Sequence, residues 1–432
     1  MTIITPIRTQ AEAAYISQFP AFEAGLTTRD PAGLKLRRAA FERFVALGLP
    51  HRRIEPYHYT DVRALLREVA GPAVHAKHTV ALPEMAVLPS ALSALEAFKI
   101  VLVNGVLDRA RSDLGRLPEG VKVHEEAEPA VDGGLADDPM IALNTAFMTG
   151  RVVIKIAAGI KFDTPLHLQS MIGGAAVAVY PRVTLEVGAG AAVTLVESHF
   201  GPDGVAYQNN SLVEIVAGDD AKIDLVRVNA HGKAAADFST LVVTLGASNV
   251  FNAHSFVTGG ALSRHQVFLR LEGEHSVVTL SGAMLLNARQ HADTTLIVDH
   301  AVPNCQSREH FAHVLDGEAT GVFQGKIIVR PLAQKTDGKM MSRAVVLTDG
   351  ATMNNKPELE IFADDVQCGH GATVGALDED LLFYLQARGL PKTEAEALML
   401  QAFAGEAVAM IAHDGVREAL DGAIDAWLKA RA

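Results

Sequence analysis

A cysteine and a histidine two positions apart, Cys368 and His370, are the side chains in this sequence best suited to metal chemistry. Alternate residues of a β-strand point to one face, so we expect the thiol and the imidazole to share a face. A thiolate and an imidazole together suit iron or zinc. Gly369 and Gly371 leave the backbone bare, which permits close approach of another chain. The competing interpretation is structural, with Cys368 in the core and His370 on the surface, because unpaired cysteines are often buried.

A second histidine pair, His310 and His313, has a spacing of three residues. In a strand this spacing places the two rings on opposite faces, which argues against shared ligation. The sequence contains no Walker A, HExxH or GxSxG motif. It therefore carries no ready-made catalytic signature, and we expect a protein that is not an enzyme.

The strands that must position these residues show a repeat. From about residue 151, apolar and polar residues alternate with period two, as in Val183–Val187 and Val267–Leu271. Glycines close such runs at intervals of 28, 28 and 27 residues, at positions 190, 218, 246 and 273. A near-constant period in units of strand and turn favours a β-solenoid over helical repeats or a sandwich.

Helical signals flank the repeat. Asp30 and Pro31 are typical of a helix start, and Thr393 with Glu396 has the spacing of a capping box. The predicted fold class is therefore mainly β, a parallel β-helix (β-solenoid) between α-helical N- and C-terminal regions. We place the mostly helical N-terminal region at residues 1–140, the β-helix core at 141–376 and the helical C-terminal region at 377–432.

The C-terminal region is too small to be very stable alone, so it must dock on something. Its apolar stripe fits a helical core or a partner-binding surface about equally well. The stripe consists of Leu381, Leu382, Tyr384, Leu385, Leu398, Met399 and Phe403.

An acidic run precedes the cysteine and contains Glu358, Glu360, Asp364 and Asp365. Paired carboxylates serve glycosidases, so a free-standing β-helix enzyme acting on polysaccharide is the alternative function. The competing interpretation is a solvated outer strand face that keeps the solenoid soluble. The single tryptophan, Trp427, lies outside the repeat, so aromatic residues that could stack on sugars are scarce.

Composition restricts the partners and the compartment. The formal net charge is −12, and an acidic surface repels phosphate, so nucleic acid is not expected as a partner. Two cysteines exclude a disulfide framework and a self-contained Cys₄ site, and both thiols are expected to be reduced. No apolar run is long enough to span a bilayer, and residues 1–6 do not look like a signal peptide. We expect a cytoplasmic protein with no membrane partner.

The stretch from Gly321 to Phe403 carries a dense resemblance to a known family. It reads GVFQGKIIV, then AQKTDGKMM, then NNKPELEIFADDVQCGHGATVGALDEDLLFYLQARGL, then AEALMLQAF. It resembles the SufD subunits of the bacterial SUF iron–sulfur cluster assembly machinery, within the SufB/SufD family. Weaker similarity extends along the whole chain and includes residues 52–61 and 103–105. The Cys-Gly-His-Gly-Ala-Thr motif at 368–373 and the short C-terminal tail resemble SufD more than its usually longer paralogue SufB.

The resemblance implies a right-handed parallel β-helix and a non-catalytic scaffold subunit. A SufD-like chain pairs with a SufB-like paralogue through the β-helices and binds a SufC-like ATPase, whose cycle exposes the site for transfer to apo-proteins. The alternative of a SufB-type scaffold that accepts sulfur directly stays open, as does a homodimer of the isolated chain. The resemblance assigns SufC docking to the C-terminal helical region, here to Leu381, Leu382, Tyr384, Leu385, Leu398 and Phe403.

The resemblance also assigns roles to the cysteine–histidine motif. His370 matches a family histidine at the SufB interface, where a nascent cluster or iron is held, and Cys368 matches a neighbouring cysteine that is either ligand or structural. Clusters are usually held by about four ligands, mostly thiolates. The isolated chain is therefore expected to bind no cofactor tightly, with iron or a cluster held transiently and shared with SufB. Ala312 stands where the family commonly has a basic residue, so any charge needed there comes from elsewhere.

Overall fold

The computed structural model of the chain describes residues 8–26, 30–73, 87–127, 135 and 137–431. The predicted lack of a signal peptide concerns residues 1–6, which lie outside this part of the chain. Across the described residues, no helix combines the length and the apolar character that a membrane crossing requires.

Strands dominate the described residues. The first ten are β1 Phe98–Val103, β2 Val106–Leu107, β3 Val121–Glu126, β4 Arg151–Ile156, β5 Leu166–Met171, β6 Ala178–Val179, β7 Arg182–Val187, β8 Ala192–Phe200, β9 Gln208–Ala217 and β10 Lys222–Ala230. The next ten are β11 Ala236–Leu245, β12 Val250–Val257, β13 Leu262–Leu271, β14 Val277–Leu286, β15 His291–His300, β16 Gln306–Leu315, β17 Thr320–Val329, β18 Asp337–Val346, β19 Thr352–Ile361 and β20 Gln367–Gly375.

Helices lie on both sides of the strand region. They are α1 Gln10–Ala24, α2 Pro31–Leu47, α3 Val62–Leu65, α4 Val87–Ser93, α5 Pro139–Phe147, α6 Glu379–Ala387, α7 Lys392–Val408 and α8 Asp414–Arg431, with a short 3₁₀ turn at Glu55–Tyr57.

The strands form two sheets that face each other. From β7 onward, consecutive strands alternate between sheets, and each is parallel to the strand two positions later. Sheet 1 has the order β2-β1-β5-β8-β10-β12-β14-β16-β18-β20, and sheet 2 the order β19-β17-β15-β13-β11-β9-β7-β4-β3. Apolar side chains of both sheets fill the space between them. The predicted parallel β-solenoid with helical flanks is therefore confirmed.

The predicted repeat is present, with corrections at its first and last steps. The backbone N–H groups of Gly188 and Gly218 donate to the last carbonyls of the preceding level, those of Ile156 and Val187. Gly188, and not Gly190, is thus the counterpart of Gly218. The level of the solenoid between Gly188 and Gly218 is two residues longer than the next level. At the last step, the N–H of Glu272 donates to the Leu245 carbonyl, so Glu272, and not Gly273, is the counterpart of Gly246. A left-handed backbone conformation marks each successive corner, at Gly190, Asp220, Ser248, His275, Asn304 and Lys335.

Helices cover the outer faces of both sheets. Residues of α1, α2 and α5 pack with outward side chains of sheet 2, and α4, α7 and α8 pack on sheet 1. The predicted start of α2 is confirmed, since the Asp30 carboxylate accepts a hydrogen bond from the Gly33 N–H. The predicted capping box of Thr393 is wrong. α7 already begins at Lys392 after Pro391, so Thr393 lies inside its first turn.

The two ends of the solenoid differ. At the start, β2 pairs antiparallel with β1 and β3 pairs antiparallel with β4, so strands before residue 141 already belong to the sheets. At the other end, β19 and β20 are the last strands of their sheets, and each pairs along one edge. This open end carries the cysteine–histidine motif.

Candidate functional site

Cys368 and His370 lie on the same face of β20, and that face points into the solenoid. Cys368 is in register with Gly338 of β18, and His370 is in register with Met340. A methyl group placed on Gly338 would lie 3.4 Å from the Ile327 side chain, which belongs to the opposite sheet. The column that contains Gly338 and Cys368 therefore faces the interior. Period-two alternation then places His370 on the interior side as well.

These two side chains remain accessible because no strand follows β20 in sheet 1. Cys368 is half-buried and packs against the interior apolar cluster, while His370 is exposed. The structural interpretation thus describes the packing of Cys368 well. It does not account for a thiol and an imidazole that meet solvent together at the end of a solenoid.

The thiol of Cys368 is protonated near neutral pH. Burial raises the pKa of this thiol, and the Asp337 and Glu309 carboxylates add to the effect, against a hydrogen bond with the Gly338 backbone. A metal ion must therefore displace a proton to bind this sulfur. In the described part of the chain, no group of three or more His, Cys, Asp and Glu side chains surrounds a common point. Cys368 and His370 can supply two donors of a larger set.

The outer face of the same strand is bare. A side chain at Gly369 would meet nothing within 4 Å, whereas one at Gly371 would meet the Met341 side chain at 2.7 Å. A shallow groove of about 520 Å³ is lined by residues of both faces, including His310 and Lys339 from the outer face and Cys368 and His370 from the inner one. At Gly369 no neighbouring atom of the described residues would therefore block the predicted close approach of another chain.

A buried carboxylate lies behind the motif. Glu309 on β16 is 2% exposed, and neither of its oxygens has a hydrogen-bond partner among the described residues. The Ser307 hydroxyl, which is 3.1 Å from the His300 ring nitrogen, is the nearby polar group that favours the charged form of Glu309. Burial raises the pKa of Glu309 to about 8. Sequence reasoning missed this residue, although its alternation with Phe311 would have placed it on the inward face.

The other histidine pair behaves as predicted. His313 points inward, where its Nε2 is 3.2 Å from the Ser342 hydroxyl. His310 lies on the outer face, half-buried, near the charges of Arg343 and Glu406. The two rings are on opposite sides of β16, so they cannot bind the same metal ion.

The acidic run lies on the outside of the solenoid. The Lys326 ammonium is 3.6 Å from Glu358 and 2.9 Å from Glu360, and Lys335 pairs with Asp365. These carboxylates are held by lysines on the outer surface, and Asp364 is exposed. The arrangement is typical of a solvated strand face and gives no support to a glycosidase pair.

The C-terminal apolar stripe is split between packing and solvent. Leu381, Tyr384 and Leu398 are exposed, whereas Leu382, Leu385 and Phe403 are half-buried. No residue of α6 is buried. The stripe predicted from the sequence omits Phe383, which is 72% exposed and lies on the opposite side of α6 from Leu381.

Two family models cover nearly the whole chain. The one described as "SUF system FeS cluster assembly, SufBD core domain" matches residues 170–403. The one described as "SufBD protein N-terminal region" matches residues 9–168. The chain belongs to the SufBD family. Its core-domain match includes β20 and its Cys–Gly–His motif.

Several SufBD relatives align over most of their length. An iron–sulfur cluster assembly SufBD family protein of Synechocystis sp. is 30% identical over 88% of this chain and 87% of its own. The iron–sulfur cluster assembly protein SufD of Escherichia coli is 26% identical over 92% of both chains. The SufD protein of Bacillus subtilis is 25% identical over 77% of this chain and 75% of its own.

The SufBD fold also shows where a basic residue stands near Ala312. Ala312 is buried on the outer face of β16, in the apolar cluster under the C-terminal helices. Its register partner on β18 is Arg343, whose guanidinium lies 5.1 Å from the centre of the Phe403 ring and pairs with Glu406. A positive charge is therefore present one strand away from Ala312.

Proposed function

We propose that this SufBD-family chain is the SufD-type scaffold subunit of a cytoplasmic iron–sulfur cluster assembly complex. It pairs with a SufB-like paralogue, docks a SufC-like ATPase, and helps to form a cluster for apo-proteins without catalysing a reaction of its own. One observation carries this proposal. Cys368 and His370 stand together on the last strand of an open solenoid, as two donors of an incomplete ligand set.

The open end supports pairing with a second solenoid. An unpaired strand edge is a template for a strand of another chain, and natural proteins usually cover such edges. β19 and β20 offer one edge from each sheet. The end also exposes apolar side chains, namely Ile361, Phe362 and Val374. A SufB-like chain could continue both sheets there, and a second copy of this chain is the competing occupant.

The donor set supports a shared site for iron as cargo. Clusters usually need about four ligands, mostly thiolates. This chain offers the thiol of Cys368 and the imidazole of His370 at the end of sheet 1. A partner seated on the same end would supply the other sulfur donors. The complete cluster site would then exist only in the complex.

The C-terminal helices support docking of an ATPase. α7 and α8 are anchored on sheet 1, whereas α6 has no buried residue. Leu381 and Tyr384 on one face of α6 and Leu398 of α7 expose apolar surface, and Phe383 exposes more on the other side of α6. Such a surface is typical of a protein interaction site. An ATPase bound there could transmit its motion along α7 to the sheet that carries the motif.

Co-purification tests the proposal. The tagged full chain is expressed with the SufB-like and SufC-like proteins of the same organism, and bound protein and iron are measured under anaerobic conditions. Both partners should co-purify, and His370→Ala should retain them while cluster formation falls. His275→Ala, at an exposed histidine on a solenoid corner, is the control and should form clusters normally. Purification of the chain with neither partner would refute the scaffold role, and normal cluster formation with His370→Ala would remove the histidine from the mechanism.

A further inference from the structure

Glu309 has a position that the scaffold role does not explain. Its side chain points into the solenoid, is almost fully buried, and finds no hydrogen-bond partner among the described residues. Burying a carboxyl group without a partner costs stability. Elsewhere in the interior, Asp237 receives hydrogen bonds from Arg227, Asn209 and Asn229. The interior can therefore satisfy a carboxylate, yet near Glu309 the described part of the chain places only the Ser307 hydroxyl, which is already bonded to His300.

The register places Glu309 directly behind the histidine. Glu309, Met340 and His370 are successive partners in one inward column of sheet 1. Neighbouring strands are about 4.8 Å apart, so the Cα atoms of Glu309 and His370 are separated by roughly 10 Å. Two long side chains can meet across this span if Met340 moves aside.

The neighbouring column leaves room for the cysteine. Ser307, Gly338 and Cys368 are successive partners there. Because Gly338 has no side chain, space remains between the Ser307 hydroxyl and the Cys368 thiol. The position of a Gly338 methyl group is 3.5 Å from the Ser307 oxygen. Glu309 is two residues after Ser307 on the same face, and it lines one groove together with Cys368 and His370.

Met340 lies between these groups and is 2% exposed. Its sulfur reaches across the interior to Gly325 of sheet 2, where a methyl group would be only 2.4 Å away. Gly325 thus creates the space that Met340 fills. A methionine side chain is unbranched and adapts easily, and its thioether is itself a soft donor.

We propose that Glu309 is a further ligand of the site, and that its carboxylate joins Cys368 and His370 in binding a ferrous ion inside the open end. The choice of ferrous iron as the bound ion rests on the proposed function. Glu309 adds an oxygen ligand to the sulfur and nitrogen ligands that this chain supplies. Carboxylate, imidazole and thiolate together suit a divalent first-row metal. Binding turns the side chains toward the space behind β20, with Met340 giving way.

Cobalt(II) binding to the full isolated chain tests this inference, with Co²⁺ as the spectroscopic probe for Fe²⁺. The wild-type chain should show a thiolate-to-cobalt charge-transfer band that Cys368→Ser removes. Glu309→Gln should keep that band and weaken Co²⁺ binding by about tenfold or more. Glu358→Gln, at a glutamate on the outer face of β19, is the matched control and should bind Co²⁺ as the wild type does.

Thermal unfolding separates a ligand from a merely buried acid. Glu309→Gln and Glu309→Leu should both unfold at a higher temperature than the metal-free wild type, because an unpaired buried acid is removed. Only a ligand role predicts that Co²⁺ then stabilises these variants less than the wild type. Equal stabilisation by Co²⁺, wild-type affinity in Glu309→Gln, or no thiolate band in the wild type would overturn the inference. These results are independent of partner co-purification, which tests the proposed function.

Discussion

The two ends of the solenoid solve the same problem in opposite ways. At the start, the antiparallel strands β2 and β3 finish the two sheets, and Leu114 and Leu117 pack over the interior. Ile100 and Ile154 are fully buried there. At the other end, no residue of β19 or β20 is fully buried, and parallel edges face outward.

This difference underlies the choice of the far end for the proposed partner. Open edges and exposed apolar side chains are costly for a chain that works alone, and solenoids normally need terminal caps. The closed start shows that this chain can build such a cap. Among the described residues no such cap covers β20, beside Cys368 and His370, and this is why the proposed partner is placed at the far end.

The largest expected effect concerns two of the interior carboxylates, Asp237 and Glu309. Burial alone would raise the pKa of Asp237, but Arg227 and His231 outweigh it and hold the pKa well below its usual range. Asp237→Asn should lower the free energy of unfolding by about 3–5 kcal/mol, because Arg227 keeps a buried charge without its partner. Glu309→Gln, near the open end, should instead raise the free energy of unfolding.

The pH dependence sharpens this prediction. A carboxylate whose pKa is depressed in the folded state stabilises the fold above its ordinary pKa of about 4, and that contribution is lost as the pH falls. The difference between wild type and Asp237→Asn in urea unfolding should therefore be constant near pH 6–7 and should shrink below about pH 4. A difference that does not change on acidification would contradict the assignment.

A matched isoleucine pair tests whether the far end is open. Ile154 is 0% exposed at the closed start, and Ile361 is 40% exposed on β19. Ile154→Ala should cost about 2–5 kcal/mol of unfolding free energy, since it leaves a cavity. Ile361→Ala should cost less than about 1 kcal/mol, as for a substitution outside the core. Equal losses, measured by urea unfolding, would mean that a second copy covers the end.

Partner binding should depend on the open end alone. Val374 is 52% exposed on β20, and Val216 is 43% exposed on the outer face of β9. Val374→Asp places a charge where the paralogue should pack, so its affinity should fall about tenfold, or about 1.4 kcal/mol. Val216→Asp should bind normally. Pull-down titration measures both, and equal affinities would place the interface elsewhere.

The smallest expected effect is a difference in thiol reactivity. Cys305 is fully buried at a solenoid corner, whereas Cys368 is partly exposed. Iodoacetamide should modify Cys368 several-fold faster, and the rate should rise with pH because only the thiolate reacts. Mass spectrometry measures the two sites in one sample. A bound paralogue should protect Cys368 from modification. Faster modification of Cys305 than of Cys368 would contradict the accessibility of the Cys368 thiol.

Local patterns allowed much of the architecture to be predicted. Period-two alternation and glycine spacing indicated the solenoid, because each level repeats the same strand and turn geometry. Alternation also placed Cys368 and His370 on one face and separated His310 from His313. Local signals failed at Thr393, since Pro391 starts α7 earlier than the capping box would.

The sequence by itself determined the repeat, the helical flanks and the shared face of the Cys–His motif, because all of these depend on residues close together in the chain. Only the tertiary structure decided that this face points inward at an end without a cap. It also decided that Glu309 stands two strands behind His370, and that Arg343 lies beside Ala312. The physical reason is that register between levels depends on the lengths of the intervening turns and on packing between sheets. Neither can be read from a single strand.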